Sequence, residues 1–472
     1  MHLFQLPPNS PFRLQYRNSF PVIGEGIIGG KAEGFVRRRD AIVDSGFLIP
    51  ETAFLATGFL LQLLEQAMEI ARVSLPTDSK FRTPGFNLPY HLVRKSICLA
   101  EFSTLHDAVL NELMRDLLGF FAVRSSHKDE SGGDGKYFSG FSQCQSEALS
   151  EAIKRVLVSS LDMDMGVILQ NAVWEKLNID GINYPSPILA GCAYSTRIDN
   201  GEGKIVLTPG FGTRAVHDGG DRYYFRGKDV RLAKENSNPR RFDYLASSGC
   251  LEDHVLDGAA FASFVSARTH LLSLLPEMLR KLEALAGGPQ YIEFAMTNAG
   301  IFCLQIADTQ VLKDFSLDST FKGRTLATSN VVGGMGRKKI IHLVVLDGRV
   351  SSDKFRQMDN KLHDYLLVVP VSRFSCAHDR LQRSDIPNSS GVAAIRCARC
   401  DADPRMLSYE DADAGEHLLG ALGHTPFLLI NSRSQLTLDS FPSRKIGGFT
   451  IYDVDMTLEV KESEAYGRVF VN

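Results

Sequence analysis

Four short stretches of this chain combine residue types that could hold a polyphosphate and its metal ion. The first is Phe121-Ala-Val-Arg-Ser-Ser126, followed by a polar, Gly-rich loop from Asp129 to Gly135 and by Tyr137-Phe-Ser-Gly140. An apolar strand ending in Arg-Ser-Ser fixes a cation and two hydroxyls at its terminus, and the glycines behind it let backbone N–H groups fold over an anion. The plainer reading is a surface Arg at a strand end. The second stretch is Ile28-Gly-Gly-Lys-Ala-Glu-Gly34, where glycines allow close backbone approach and the Lys31 ammonium reaches a phosphate oxygen. It lacks the G-x-x-x-x-G-K-[ST] spacing of a Walker A loop, and a solvated turn explains it equally simply. The third, Leu207-Thr-Pro-Gly-Phe-Gly-Thr-Arg-Ala-Val216, runs a strand into Gly210-x-Gly212 and Arg214; its alternative is a bulge or turn. In the fourth, Glu293 and Gln305 stand in otherwise apolar strands, where burying a carboxylate is costly without a cation or a partner. A carboxylate and an amide oxygen on neighbouring strands suit Mg2+, a hard cation that prefers oxygen. The competing expectation is that Glu293 pairs with a nearby Lys or Arg.

The elements that must position these residues read as mixed α/β. Helical patterns cover about 53–73, 92–118, 146–160 and 257–286, with short apolar strands at 120–124, 165–173, 188–196, 204–208, 290–296 and 301–306. The last two strands flank Thr297-Asn-Ala-Gly300, a hairpin signal that puts Glu293 and Gln305 on neighbouring strands. From about 310 the pattern loosens to Gly333-Gly-Met-Gly336. A second block then offers strands at 340–346, 366–371, 391–395 and 427–430, closing with 452–460 and 467–471.

At 472 residues, with 44% hydrophobic and 23% charged residues, the chain reads as a soluble globular protein of two or three domains. A net charge of −3 and the absence of Lys/Arg runs argue against nucleic-acid binding. The longest apolar segment, Phe54 to Leu64, is short of a membrane span, and the first residues carry no leader pattern. Eight scattered cysteines fit reduced thiols, so a cytoplasmic protein is expected.

Taken in order, Ile28-Gly-Gly-Lys31, the Pro50 segment, Ala122-Val-Arg-Ser-Ser126, Phe138-Ser-Gly140, Val167-Ile-Leu-Gln170, Gly210-Phe-Gly-Thr-Arg-Ala-Val216, Ile292-Glu-Phe294 and Leu304-Gln305 resemble the ATP-binding domain of phosphoenolpyruvate synthase and pyruvate phosphate dikinase. The resemblance covers about residues 15–310. It implies an α/β (α+β) fold with a two-lobed, ATP-grasp-type domain over 1–312, a linker at 313–336 and a small swivelling phosphohistidine-like domain over 337–472. It further implies ATP and Mg2+ as ligands. Lys31 and Arg124 would bind the phosphates under a cap formed by the 127–140 loop, and Gln170 would lie near the adenine at the hinge. Ser125, Gly140, Gly210, Gly212 and Arg214 would complete the nucleotide site, and Glu293 and Gln305 would hold the metal. One departure stands out. The family follows Leu-Gln with a small residue and then Arg-Pro, whereas here Ala307 takes the place of that Arg. An Arg clamp on a transferring phosphoryl group is worth orders of magnitude in rate, so Arg214 is the candidate substitute.

In the C-terminal block, His417 sits where the family carries its phosphate-accepting histidine, within Gly415-Glu-His-Leu-Leu-Gly-Ala-Leu-Gly-His-Thr-Pro426. Glu416 replaces the usual Ser, and His424 is a second, weaker candidate. Neutral imidazole is a competent nucleophile near pH 7. Cys376-x-His378 and Cys397-x-x-Cys400 could instead close a zinc site, against four separate side chains. The expected activity is therefore an ATP-dependent, dikinase-type phosphotransferase passing a phosphoryl group through His417 to an unidentified acceptor, without a pyruvate-binding barrel. The alternatives are an ADP-forming kinase or ligase, and a nucleotide-binding regulatory or scaffold protein.

Overall fold

The computed structural model describes residues 5–7, 10–70, 90–116, 120–128, 139–143, 145–160, 164–179, 182–212, 220–235, 240–245, 250–256, 258–314, 324–329, 332–346, 350, 352–370, 386–395, 425–430, 438, 440–464 and 466–472. The first layer is built from β1 (Leu14–Arg17), β2 (Phe20–Ile23), α1 (Gly30–Asp44), β3 (Thr52–Leu55), α2 (Thr57–Ile70), α3 (Tyr90–Leu99), α4 (Thr104–Asp116), β4 (Phe120–His127), β5 (Ser139–Gln143), α5 (Ser146–Ser160) and β6 (Met165–Asn171). Its strands lie in the order β1-β2-β3-β6-β4-β5. β2 and β3 run parallel, and every other neighbouring pair is antiparallel. Period-2 alternation divides the sheet's residues between two faces. Phe121, Val123, Val167 and Leu169 join Leu63, Val109 and Ile153 of the helices in one core, while Phe54 and Ile168 enter another.

The helix expected over 53–73 divides here. Thr52–Leu55 is a strand buried on both faces between β2 and β6, and the helix begins only at Thr57. A continuous apolar run fits a buried strand and a buried helix alike. The helix expected over 92–118 is likewise two. Ser103 caps the second, its hydroxyl accepting from the His106 N–H at 3.4 Å while its carbonyl accepts from Asp107 N. His106 is buried in the helical layer, with Nε2 2.8 Å from Phe59 O and Nδ1 2.7 Å from Ser103 Oγ.

The second layer begins with the hairpin β7 (Glu175–Ile179)/β8 (Ile182–Ser186), and continues through β9 (Leu189–Tyr194), β10 (Gly203–Pro209), β11 (Asp221–Arg226) and β12 (Asp229–Lys234). After the hairpin β13 (Arg240–Leu245)/β14 (Cys250–Val255) come α6 (Gly258–Ala286), β15 (Gln290–Thr297) and β16 (Gly300–Asp308). The main sheet is antiparallel throughout, in the order β12-β11-β10-β9-β15-β16. Leu189, Ile205, Ile292 and Phe294 pack with Leu271, Leu275 and Leu279 of α6, and with Phe35, Phe54 and Ile168 of the first layer. One core thus joins the two sheets. A second junction is aromatic. Phe120 of β4 stacks on Tyr244 of β13 at 4.2 Å, meets Phe211 at 5.9 Å, and carries Trp174 on its side at 6.2 Å.

The C-terminal sheet contains β17 (Thr325–Ser329), β18 (Val332–Gly333), β19 (Met335–Leu346), β20 (Tyr365–Pro370), β21 (Ser389–Ile395), β22 (Phe427–Ile430), β23 (Ser443–Ile446), β24 (Phe449–Lys461) and β25 (Tyr466–Val471), with α7 (Ser352–Asp359) after β19. The order is β17-β25-β24-β19-β20-β21-β22-β18, with β23 added on β24, and β19 through β22 form a parallel run. Residues 325–329 and 332–333, expected as linker, belong to this sheet: β17 pairs with β25 and β18 with β22. Their weak apolar pattern becomes strand because distant partners supply the ladder hydrogen bonds.

Candidate functional site

Lys31 and Arg124 are brought to the junction of the two sheets by a close approach of backbone. Gly29 caps α1 at φ 82, a conformation glycine adopts without a Cβ penalty, and a Cβ there would stand 1.6 Å from Ser126 O. The first N–H groups of a helix need partners, and the Ser126 hydroxyl supplies one, accepting from Ala32 N at 3.1 Å. Ser126 therefore serves α1. Lys31, in the first turn, and Ser125, on β4, are both buried. The first half of α1 is held to β16. Gly34 packs so closely on Ile306 O that a Cβ would come within 2.9 Å of it, and Arg38, itself buried, pairs with Asp308.

Burial alone would raise the Asp308 carboxyl. Hydrogen bonds from Arg38 and Gln290, with the Arg38 and Arg37 charges, outweigh it and hold the carboxyl below the usual carboxylate range. Ala307, one position earlier, is enclosed with Cys192, Tyr194, Val206 and Tyr291, so no cation arises from that point.

Glu293 and Gln305 are direct cross-strand partners. The register then slips, with Phe294 opposite Cys303, so Leu304 is an extra residue on β16. Such a bulge takes one residue out of the ladder, and the Leu304 carbonyl is bonded from the other sheet. Arg124 Nη1 donates to it at 2.9 Å and Gln170 Nε2 at 3.3 Å, the latter also reaching Thr52 Oγ1 at 3.3 Å. The second guanidinium nitrogen of Arg124 forms an ion pair with Glu293, both side chains largely buried. Arg124, Gln170, Glu293 and Gln305 thus meet around one bulge. The Arg124 pairing is the competing expectation for Glu293 stated above.

Gln305 is 2% exposed, and its Nε2 has no hydrogen-bond partner. It is one of several such buried atoms among the described residues, and it stands beside a carboxylate and a guanidinium, where a ligand could complete it. A phosphate oxygen would accept from that nitrogen. With the amide turned over, Oε1 joins the Glu293 carboxylate as a pair of hard oxygen donors. These two side chains fit Mg2+ carried in by a nucleotide, which brings oxygen ligands of its own. Among the described residues no group of three or more His, Cys, Asp or Glu is gathered for a metal.

Gly140 lies on β5 opposite Val123, one step from Arg124. Gly210 ends β10 at φ 70, and Phe211 behind it fills the aromatic junction, with Gly212 following. The 129–138 part of the capping loop, Arg214, His417, His424, Cys376, His378, Cys397 and Cys400 lie outside the described residues. Four features escaped the sequence reading: the bulge carbonyl, the Ser126 cap, the Arg38–Asp308 tie, and two further cations, Lys204 and Arg222. Lys204 is 0% exposed, in register with Tyr194, and its Nζ stands 5.6 Å from that ring. Arg222 is buried on neighbouring β11. The signal for Lys204 was a charged residue in the apolar strand Gly203–Pro209; Arg222, between Asp221 and Tyr223, carried no such signal. Cys303, whose thiol burial pushes far up, is a protonated core residue.

No protein-family model matches this sequence, and no curated protein matches it.

Proposed function

We propose that the two-sheet unit binds ATP with Mg2+ at the Leu304 bulge and that the chain is an ATP-dependent phosphotransferase. The observation that carries this reading is the meeting of Arg124, Gln170, Glu293 and the orphaned Gln305 amide at the sheet junction. When bound, Mg2+ would neutralise phosphate oxygens and align them, held by Glu293 and Gln305. Arg124 and Lys31 would take up the remaining phosphate charge, and the junction would place Gln170 beside the base. The residues of this site stand on strands and on one clamped helix, a rigid setting that suits preorganised charge stabilisation.

Under the dikinase reading, an imidazole nitrogen of His417 would attack the β-phosphorus of ATP, and the Pα–O–Pβ bridge would break with AMP leaving. Water would take the γ-phosphoryl group as inorganic phosphate, and the remaining phosphohistidine would pass its group to the acceptor. The test is ATP labelled separately at β and γ, incubated with Mg2+ and wild type or His417→Ala. AMP with acid-labile protein label on wild type alone supports the phosphohistidine route; ADP without protein label moves the protein to a kinase or ligase. The enclosed, uncharged Ala307 favours a second reading, a nucleotide-binding regulatory protein, whose signature is ATP binding with no turnover. Among the described residues no helix is long and apolar enough to cross a membrane.

A further inference from the structure

The Arg124 guanidinium holds two acceptors at once, the Leu304 carbonyl and the Glu293 carboxylate, and so joins β4 of one sheet to β15 and β16 of the other. We propose that this tie is a latch which makes Mg2+ and nucleotide binding depend on each other. The inference rests on the nucleotide reading of the site. In the latched form the cation meant for phosphate is spent on the carboxylate meant for metal. Free Mg2+ would have to displace a buried, charge-assisted ion pair and leave Arg124 without its anion. A metal-free nucleotide would have to draw Arg124 away and leave Glu293 buried without a counter-charge. Each of those partial states strands a buried charge. Arriving together, the metal replaces Arg124 on Glu293 and a phosphate replaces Glu293 on Arg124, so every charge is matched again.

The surroundings fit an exchange of partners. Arg124 and Glu293 come from different sheets and are not register neighbours, so moving one does not break a ladder. Gln170 also bonds Leu304 O, so the bulge carbonyl keeps a donor after Arg124 leaves. The Gln305 amide, unmatched in the latched form, gains its partner only when a ligand enters. Because coupling between two ligands is reciprocal, the latch predicts that each ligand tightens the other by the same factor.

The experiment is calorimetric titration of the full chain with the β,γ-imido analogue of ATP, with Mg2+ or with a chelator, for wild type and Glu293→Gln. Wild type is expected to gain about tenfold or more in affinity from Mg2+. Glu293→Gln, which frees Arg124, is expected to bind the metal-free analogue about tenfold tighter than wild type, with the metal effect largely gone. If wild type binds the analogue but Glu293→Gln binds the metal-free form no tighter, the latch is overturned while the nucleotide site stands. If wild type binds the analogue neither with nor without Mg2+, the nucleotide reading falls and the latch with it. Circular dichroism checks the fold. Should Glu293→Gln not fold, Glu293→Asp keeps the charge on a shorter arm, and a several-fold tightening of metal-free binding supports the latch where no change overturns it.

Discussion

Two buried carboxylates, Glu459 and Glu293, each face an Arg, and they are built differently. Glu459, on β24, is 0% exposed and lies in register with Arg468 of β25 on one side and Arg337 of β19 on the other. Arg468 Nε reaches it at 2.7 Å and Arg337 Nε at 3.3 Å, and the Arg468 guanidinium lies 4.9 Å from the Phe470 ring centroid. All three charges sit on adjacent strands of one sheet, where the ladder fixes their spacing. Glu293 faces an Arg from another sheet; each region keeps a buried atom with no hydrogen-bond partner, Glu459 Oε1 in the first and Gln305 Nε2 in the second, so the difference lies in where the Arg comes from. The first arrangement can do little except hold three strands together. The second can exchange partners, because no ladder hydrogen bond depends on the pairing. The difference separates a buried ion pair that stabilises from one that is available to a ligand, although the residue types are the same.

The comparison is broken most severely at Glu459. Glu459→Ala removes the buried carboxylate between Arg468 and Arg337 and should cost about 3 kcal/mol in denaturant unfolding, nearly all of it at the buried Arg468, because Arg337 is half exposed. Nucleotide affinity of the protein that remains folded should not change; a parallel loss of both would mean that Glu459 is no mere brace. Arg124→Ala should behave in the opposite way, lowering nucleotide affinity by about a hundredfold with a loss of stability of about 1–3 kcal/mol. Lys31→Ala should follow it in affinity, and wild-type binding in both variants would remove the phosphate site from the sheet junction. Asp308→Asn probes an intermediate case, because its partner Arg38 also comes from another element. The Asp308 carboxyl is held low, so its contribution is present above the ordinary carboxylate range and is lost as pH falls through the folded value. Exposure and screening keep that contribution within about 1 kcal/mol. A separate effect lies in the helical layer, away from both pairs. Burial lowers the His106 pKa from 6.5, against opposing contributions from the Phe59 backbone and Asp107. The unfolded chain therefore binds a proton that the folded chain refuses, and stability present above pH 6.5 falls as the solution is acidified below it. The slope cannot exceed about 1.4 kcal/mol per pH unit. His106→Gln should flatten it in urea midpoints measured from pH 7 to pH 5, and an unchanged slope would clear His106 of any part in acid sensitivity.

What the sequence made legible follows from how local each signal is. β4, β6, β15 and β16 were readable as apolar runs, and the Thr297–Gly300 turn put Glu293 and Gln305 on neighbouring strands; that turn alone would set Glu293 opposite Leu304, and the bulge brings Gln305 there instead. α1 was not, because its N-terminus is two glycines and one of its capping groups is a hydroxyl 94 positions away. Arg124 and Glu293 could each be named, but their pairing spans 169 positions and depends on how two sheets meet. The bulge at Leu304 has no residue signature: a leucine leaves the ladder because of what lies on either side of it. Residues 325–329 and 332–333 read as linker because their strand partners, β25 and β22, come more than ninety residues later.

Among 472 residues there is one tryptophan, and it is Trp174, exposed on one side and stacked on Phe120 where aromatic rings from both sheets meet. Its emission spectrum is therefore a local one, free of the averaging that several indoles would impose. A shift of the two layers against each other, by hinge closure or by loosening, changes the water and the π-faces around this ring. The protein carries its own optical gauge of how its lobes are set, readable in dilute solution without a label.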